Sequence, residues 1–245
     1  MYNNISEIEG FLNGDDLVIV GGGPSSENLG QGFTKNRIVL GCNYRNPNNK
    51  YDYHLLHDPL AIMWYKKNNV DLASSNMILS QLITEVCSHN KNKQSLSHER
   101  GFALNPKNHR DVWVGDIPVS EYLNAMIYEW SDLGMPNKIY KASSPSPETS
   151  IVCDDIIGTK WFNAGLWCIE LGMYFGAGKI YLSGFDGGQK HNYSHPPSDR
   201  IVSAKNRTAH DYLPYVNRVN ELKQQIDIIL VNTDHSMYDL PRVYA

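Results

Sequence analysis

Short apolar runs that end in glycine or polar residues recur along the chain and predict the strands of a parallel sheet. The first run is Leu17–Val20, the second lies within residues 37–43, and the third within residues 53–58. Continuous apolar runs of this length are typical of strands buried on both faces. Because the carboxyl ends of parallel strands share one edge, we expect the residues that follow these runs to line a ligand crevice.

The sequence of the second half of the chain predicts further strands of this sheet and the helices that flank it. Small and apolar residues at helical spacing over 163–178 predict a buried helix, and Lys179–Ser183 predicts a strand that ends in a second glycine turn. A helix over 216–225 and a last strand over 226–232 follow. The helix over 163–178 and the strand that follows it form half of a βαβ unit.

These elements predict an α/β fold, a single Rossmann-like nucleotide-binding domain over residues 1–245 with a mostly parallel sheet flanked by helices. A shorter run at Met77–Leu79 is a further candidate strand. Residues 89–109 are polar and lack a clear apolar period, and we expect an irregular insertion around residues 85–150. No repeat and no Gly/Ser-rich linker divides the sequence.

Charge and composition restrict the classes of function. The 245 residues carry a formal net charge of -4, which argues against extensive binding of nucleic acid. No apolar run approaches the ~20 residues of a membrane span, and the N-terminus lacks the features of a signal peptide. We therefore expect a soluble, cytoplasmic phage or bacterial protein. Four cysteines without a CxxC pair predict reduced core thiols and no metal site.

The first glycine turn, Gly21–Gly23, is followed by Pro24 and Ser25. Glycine lets the backbone approach an anion closely, and the first N–H groups of a helix are donors, so one hypothesis is a phosphate site. The other is a tight turn without a ligand. A dinucleotide oxidoreductase is disfavoured, because the turn lacks a third glycine at the required spacing and the second strand ends in Asn43 instead of an acid.

Four segments resemble one superfamily. Val20–Ser25 resembles the Gly-Asn-Gly-Pro-Ser turn of bacterial lipooligosaccharide sialyltransferases and of a related domain that includes archaeal 6-hydroxymethylpterin diphosphokinases. Cys42-Asn43 matches the end of the family's second strand, and residues 165–186 resemble its glycine, apolar helix and Ser-Gly-Ile-Asp strand end. Residues 228–232, followed by Ser236, are similar to the closing strand of the related domain.

The resemblance implies a set of nucleotide contacts. On the phosphate side these are Gly21, Gly22, Gly23, Pro24, Ser25 and Asn43, and on the side of the base and ribose Gly165, Gly184, Phe185 and Asp186. Three departures remove side-chain donors to a nucleotide: Gly22 and Asp58 each replace an Asn, and Asn163-Ala164 replaces Thr-Ser. An acid at Asp58, which would lie at the same site, suits a metal-bound diphosphate or a hydroxyl better than a bare phosphate.

The resemblance also implies a histidine as general base, in the loop after the Ser-Gly-Ile-Asp strand. Ser194-His195 is most similar to the family's Ser-His, so His195 is the first candidate, followed by His191 and His210. A neutral imidazole accepts a proton at physiological pH. The alternative for each is a surface or structural histidine. His54 and His57 flank a strand end with Asp58, but alternation along a strand places the two histidines on opposite faces, which disfavours a metal site.

The resulting functional hypothesis is a nucleotide-dependent transferase, a sialyltransferase-like glycosyltransferase that moves a sugar from a nucleotide donor, in the first place a CMP-sugar, to an acceptor hydroxyl. The acceptor is a glycan, a small metabolite or a modified base in DNA. One alternative is a diphosphokinase that requires ATP and Mg²⁺, with the metal on Asp58 or Asp186. Another is a noncatalytic nucleotide-binding protein.

Overall fold

The computed structural model describes residues 3–43, 50–56, 75–80, 113–114, 117–118, 139–142, 164–186, 209–233 and 238–245. The chain divides into two compact units. The first comprises Met1–Glu7 and His54–Phe162, and the second comprises Ile8–Tyr53 and Asn163–Ala245. The assignment of residues 1–245 to one domain stays a prediction.

The strands, in chain order, are β1 (Asn3–Asn4), β2 (Asp16–Val20), β3 (Ile38–Cys42), β4 (Tyr53–Leu56), β5 (Asn76–Ser80), β6 (Trp113–Val114), β7 (Ile117–Pro118), β8 (Ile139–Ala142), β9 (Lys179–Ser183), β10 (Asp227–Val231) and β11 (Arg242–Val243). The described α-helices are α1 (Gln31–Thr34), α2 (Ala164–Tyr174) and α3 (Ala209–Leu222), and Ile5–Ile8 and Pro24–Asn28 are 3-10 helices.

The second unit contains a parallel sheet in the order β3-β2-β9-β10-β11. Chain order runs outward from β2 in two directions, to β3 on one side and, later in the sequence, through β9, β10 and β11 on the other. The predicted α/β, Rossmann-like class with its parallel sheet is confirmed. None of the described helices is both long and apolar enough to cross a membrane.

Strands of the first unit also pair in parallel, β1 with β8 and β8 with β5. The candidate strand at Met77–Leu79 is confirmed within β5. Inside residues 85–150 the structure describes three strands, of which β6 and β7 form an antiparallel pair and β8 pairs in parallel with β5. Strands of two to four residues are too short to give the apolar period by which a strand is predicted.

The core of the second unit explains why the first apolar run is continuous. Leu17, Val18, Ile19 and Val20 are all fully buried, so both faces of β2 are covered. The predicted buried helix is confirmed as α2. A Cβ on Gly172 of this helix would lie 2.7 Å from Leu17 Cδ2 and 2.9 Å from Ile180 Cδ1, so the glycine allows the helix to pack closely on the sheet.

Helix α3 is attached to α2 by an ion pair. The Arg218 guanidinium donates to Glu170 at 3.0 Å and to Glu221 at 2.8 Å. The Glu170 side chain is only 10% exposed, and the arginine supplies the positive charge that a partly buried carboxylate requires. Both carboxylates favour the charged guanidinium and raise the pKa of Arg218 against the opposing effect of burial.

Candidate functional site

The carboxyl ends of β2 and β9 lie side by side at the point where the chain order of the sheet reverses. Val20 pairs with Ser183 in parallel register, so the next residues, Gly21 and Gly184, leave the sheet next to each other. In open α/β sheets the crevice that binds ligands lies at this position, outside the carboxyl ends of the strands. The two glycine turns identified in the sequence therefore flank the expected position of a ligand.

The two turns touch each other directly. The Gly21 N–H donates to Ser183 O at 2.8 Å, and the Gly23 N–H donates to Gly184 O at 2.9 Å. A Cβ on Gly21 would lie 2.7 Å from Gly184 O, and a Cβ on Gly23 would lie 2.6 Å from the same oxygen. Both glycines are thus accounted for by the contact between the turns, whether or not a ligand binds there.

A carboxylate of the protein fills the start of the 3-10 helix Pro24–Asn28. Asp186 Oδ2 accepts hydrogen bonds from the Ser25 N–H and the Ser25 hydroxyl, each at 2.9 Å. Ser25 Oγ in turn accepts from the Gly184 N–H at 2.8 Å and contacts Thr233 Oγ1 at 3.1 Å. Ser25, Asp186 and Thr233 are all buried. We call these three residues, with the Gly184 amide, the Ser25–Asp186 network.

The donors of Ser26 are also engaged within the protein. The Ser26 N–H donates to Gly23 O at 3.1 Å and its hydroxyl donates to the same oxygen at 2.8 Å. The sequence predicted a helix from Ser25 to Leu29, and the structure has a 3-10 helix of five residues, Pro24–Asn28. A helix of one to two turns with its first amides engaged is a weaker anion site than the sequence pattern indicates.

Two further strands end in a left-handed asparagine. Asn43 after β3 has φ 53° and Asn232 after β10 has φ 54°, while Gly184 after β9 has φ 76°. Asparagine is one of the few residues other than glycine that adopts this conformation at low cost. Of the four adjacent strands β3, β2, β9 and β10, three are therefore followed directly by a residue with positive φ.

Asn232 is a residue of this edge that the sequence did not single out for the site. Its Nδ2 donates to Asn28 O at 2.8 Å and to Ala245 O at 3.1 Å, and its Oδ1 accepts from the Ala245 N–H at 2.8 Å. The side chain thereby connects the end of the 3-10 helix to the segment after β11. Asn232 could have been identified from the sequence in the same way as Asn43, because each is an asparagine that directly follows an apolar strand.

The two described cysteines behave as core thiols. Cys42 and Cys168 are free and buried, as predicted. Burial raises the pKa of Cys168 well above its ordinary value, and a hydrogen bond with Cys42 raises it further. A thiol that resists ionisation is a poor nucleophile and a poor metal ligand. Cys87 and Cys153 lie outside the described residues.

The structure places most of the predicted nucleotide contacts at one edge. Residues 21–25, Asn43 and residues 184–186 follow β2, β3 and β9, whereas Gly165 lies in the first turn of α2. Phe185 is buried beside Gly21, so its ring packs against the turn. Asp58, His191 and His195 lie outside the described residues, as does the side chain of His210, whose backbone belongs to α3. Among the described residues, no three His, Cys, Asp or Glu side chains form a metal-binding group.

Comparison with known proteins gives a similarity at the level of the fold. No protein-family model matches the chain, and no curated protein matches it. Among solved structures, it is similar to the crystal structure of the sialyltransferase CST-II in complex with trisaccharide acceptor and CMP. The sequences are 12% identical, the alignment covers 88% of this chain and 80% of that chain, and the TM-score is 0.47. A similarity of this size concerns the course of the backbone and does not identify a substrate.

The contact between the turns predicts a large effect of Gly184→Ala. The new Cβ would overlap Gly21 O and lie 2.7 Å from Gly21 C, in addition to the strain of φ 76°. Gly10→Ala is the matched control, because Gly10 has φ 64° and no atom within 4 Å of the added Cβ. We expect the control to lose about 1–2 kcal/mol and Gly184→Ala to lose about 1–3 kcal/mol more, measured by urea denaturation. Equal losses would show that the turns are not in close contact.

Proposed function

We propose that this protein is a nucleotide-dependent transferase, and more narrowly a sialyltransferase-like glycosyltransferase that moves a sugar from a CMP-sugar to an acceptor hydroxyl. The observation that carries the proposal is the position of the two glycine turns. They occupy the carboxyl ends of β2 and β9, where the chain order of the sheet reverses. This is the point at which α/β sheets bind nucleotides.

The residues that follow these strands suit a nucleotide. Gly21 and Gly23 donate their N–H groups to the end of β9 and the turn after it, and Gly22 between them is only half-buried. Val20 pairs with Gly41, so Gly22 and Asn43 leave neighbouring strands at the same level. A glycine N–H and an asparagine side-chain amide are neutral donors of the kind that contact phosphate oxygens without a metal ion.

The family resemblance supports the proposal through the same residues. The motif segments at Val20–Ser25, Cys42-Asn43 and Ser183–Asp186 are separated by many residues in the sequence, and they follow three adjacent strands of the sheet. A chance match to short glycine motifs would not require the matching segments to be neighbours in space.

The diphosphokinase alternative fits the described residues less well. It needs carboxylates that are available to hold Mg²⁺. Asp186 is buried, and one of its carboxylate oxygens already accepts two hydrogen bonds from Ser25. The noncatalytic alternative predicts the same nucleotide binding without transfer.

Titration calorimetry with CMP, UDP and ATP, each with and without Mg²⁺, tests the choice of donor. We expect CMP to bind with the same affinity in the presence and absence of Mg²⁺, because neutral donors and not a metal would hold its phosphate. Binding of ATP that depends on Mg²⁺ would support the diphosphokinase instead. Failure of all three nucleotides to bind would contradict the proposed function.

Asn43→Asp tests the phosphate side of the crevice. The substitution keeps the size and the left-handed tolerance of the side chain but adds a negative charge. We expect the affinity for CMP to fall about tenfold or more, which corresponds to at least about 1.4 kcal/mol. Asn13→Asp is the matched control, because Asn13 also has positive φ, 46°, but precedes β2 at the opposite edge of the sheet. An equal loss in both variants would place the phosphate elsewhere.

His195→Ala tests the general base. The proposal assigns His195 the removal of the acceptor proton, so sugar transfer should fall about 10²- to 10⁴-fold while CMP affinity is retained. Release of CMP from a CMP-sugar in the presence of an acceptor measures the rate. Full activity would remove His195 as the base and direct attention to the same variants of His191 and His210.

A further inference from the structure

The carboxylate of Asp186 occupies the place in the first turn that an external anion would occupy. Ser25 presents its backbone N–H and its hydroxyl in the same direction, and Asp186 Oδ2 accepts both at 2.9 Å. The carboxylate comes from a residue 161 positions away in the sequence. Asp186 as a whole is only 6% exposed to solvent.

The glycine pattern of the turn fits this internal anion. A Cβ on Gly23 would overlap Asp186 Oδ2. Glycine at position 23 therefore gives a negatively charged oxygen access to the backbone, which is the property by which glycine turns admit phosphates. Here the oxygen belongs to the protein itself.

We propose that Asp186 is a positioning residue whose carboxylate is the anion bound by the Gly23–Ser25 part of the first turn, so that no phosphate of a ligand binds at Ser25. Two conditions support this. The Ser25 donors are already used, and a second anion placed there would be repelled by a carboxylate at close range in a site with little water.

A consequence for the ligand rests on the proposed function. If a nucleotide binds in the crevice, its phosphate lies on the side of Gly22 and Asn43, where β2 and β3 end. Ser25 then acts through Asp186 by fixing the distance between the two turns. The assignment of Gly23, Pro24 and Ser25 to the phosphate, which followed from the family resemblance, is replaced by this role.

Chemical rescue tests the internal anion without any nucleotide. Asp186→Ala leaves the Ser25 N–H and hydroxyl without their acceptor, and we expect the variant to be less stable in urea than the wild type. Formate is a small carboxylate that can take the vacated place. At ten times its dissociation constant it should shift the unfolding equilibrium of the variant about elevenfold toward the folded state, relative to chloride at equal ionic strength.

Three controls separate this effect from a general effect of salt. Formate should give no such gain over chloride in the wild type or in Asp227→Ala, which removes an exposed carboxylate whose side chain is 75% accessible. The gain should shrink at least several-fold in the double variant Ser25→Ala/Asp186→Ala, because one of the two donors is lost. Equal gains in all four proteins would overturn the proposal.

Asp186→Asn provides a second, independent measurement. The amide has nearly the shape of the carboxylate but no charge, so the variant should lose stability; wild-type stability would show that no anion is needed and would overturn the proposal. If Asp186→Ala does not fold in chloride, refolding from urea into formate tests the same point, and recovery specific to formate supports the proposal. Failure of formate to help would contradict the internal anion, whereas failure of nucleotides to bind would contradict only the proposed function.

Discussion

The contact between the two glycine turns is the constraint on which the candidate site depends. Parallel pairing of β2 with β9 brings Gly21 and Gly184 to the same level, and two backbone hydrogen bonds then join the turns. Side chains at these positions would separate them by the width of a methyl group. The geometry of the whole carboxyl edge in this unit follows from a backbone approach that only glycine permits.

The Ser25–Asp186 network holds the two turns together through side-chain hydrogen bonds. It links the turn after β2 to the turn after β9 and, through Thr233, to the end of β10. A buried polar group costs free energy unless it is hydrogen-bonded, and a fully satisfied network penalises every alternative arrangement of its members. Asn232 adds the end of the 3-10 helix and the segment after β11 to the same edge. The shape of an edge held together by these contacts does not depend on a ligand, which is the property that precise binding requires.

The sequence predicted the parts of this arrangement that have a local cause. Leu17–Val20 was predicted because buried parallel strands have continuous apolar sequences, and Lys179–Ser183 because it runs into a second glycine turn. Helix α2 was predicted because its small and apolar residues recur at helical spacing. The position of Asn43 followed from the rule that parallel strands share an edge. Each of these features depends on residues close together in the chain.

The partnership of Ser25 with Asp186 could not be predicted in that way. The two residues are 161 positions apart, and each was assigned separately to the ligand because it stands in a glycine turn at a strand end. Ser25 with Thr233 spans 208 positions. Which polar groups satisfy one another depends on the register of β9 and β10 beside β2, and a pattern of residue types carries no information on register between distant strands. The roles of the candidate histidines stay predictions from the sequence.

Glycine in a turn indicates that some group approaches the backbone closely, but not which group. At Gly172 the neighbours of the missing side chain are Leu17 and Ile180, at Gly21 a carbonyl, and at Gly23 a carbonyl and a carboxylate. Only the last of these has the charge of a phosphate. The same motif therefore has two electrostatic consequences: an open turn attracts an anion, whereas a turn that already holds a carboxylate repels one and moves it toward the neighbouring strand. The partner of Ser25, and not the number of glycines, decides which consequence applies.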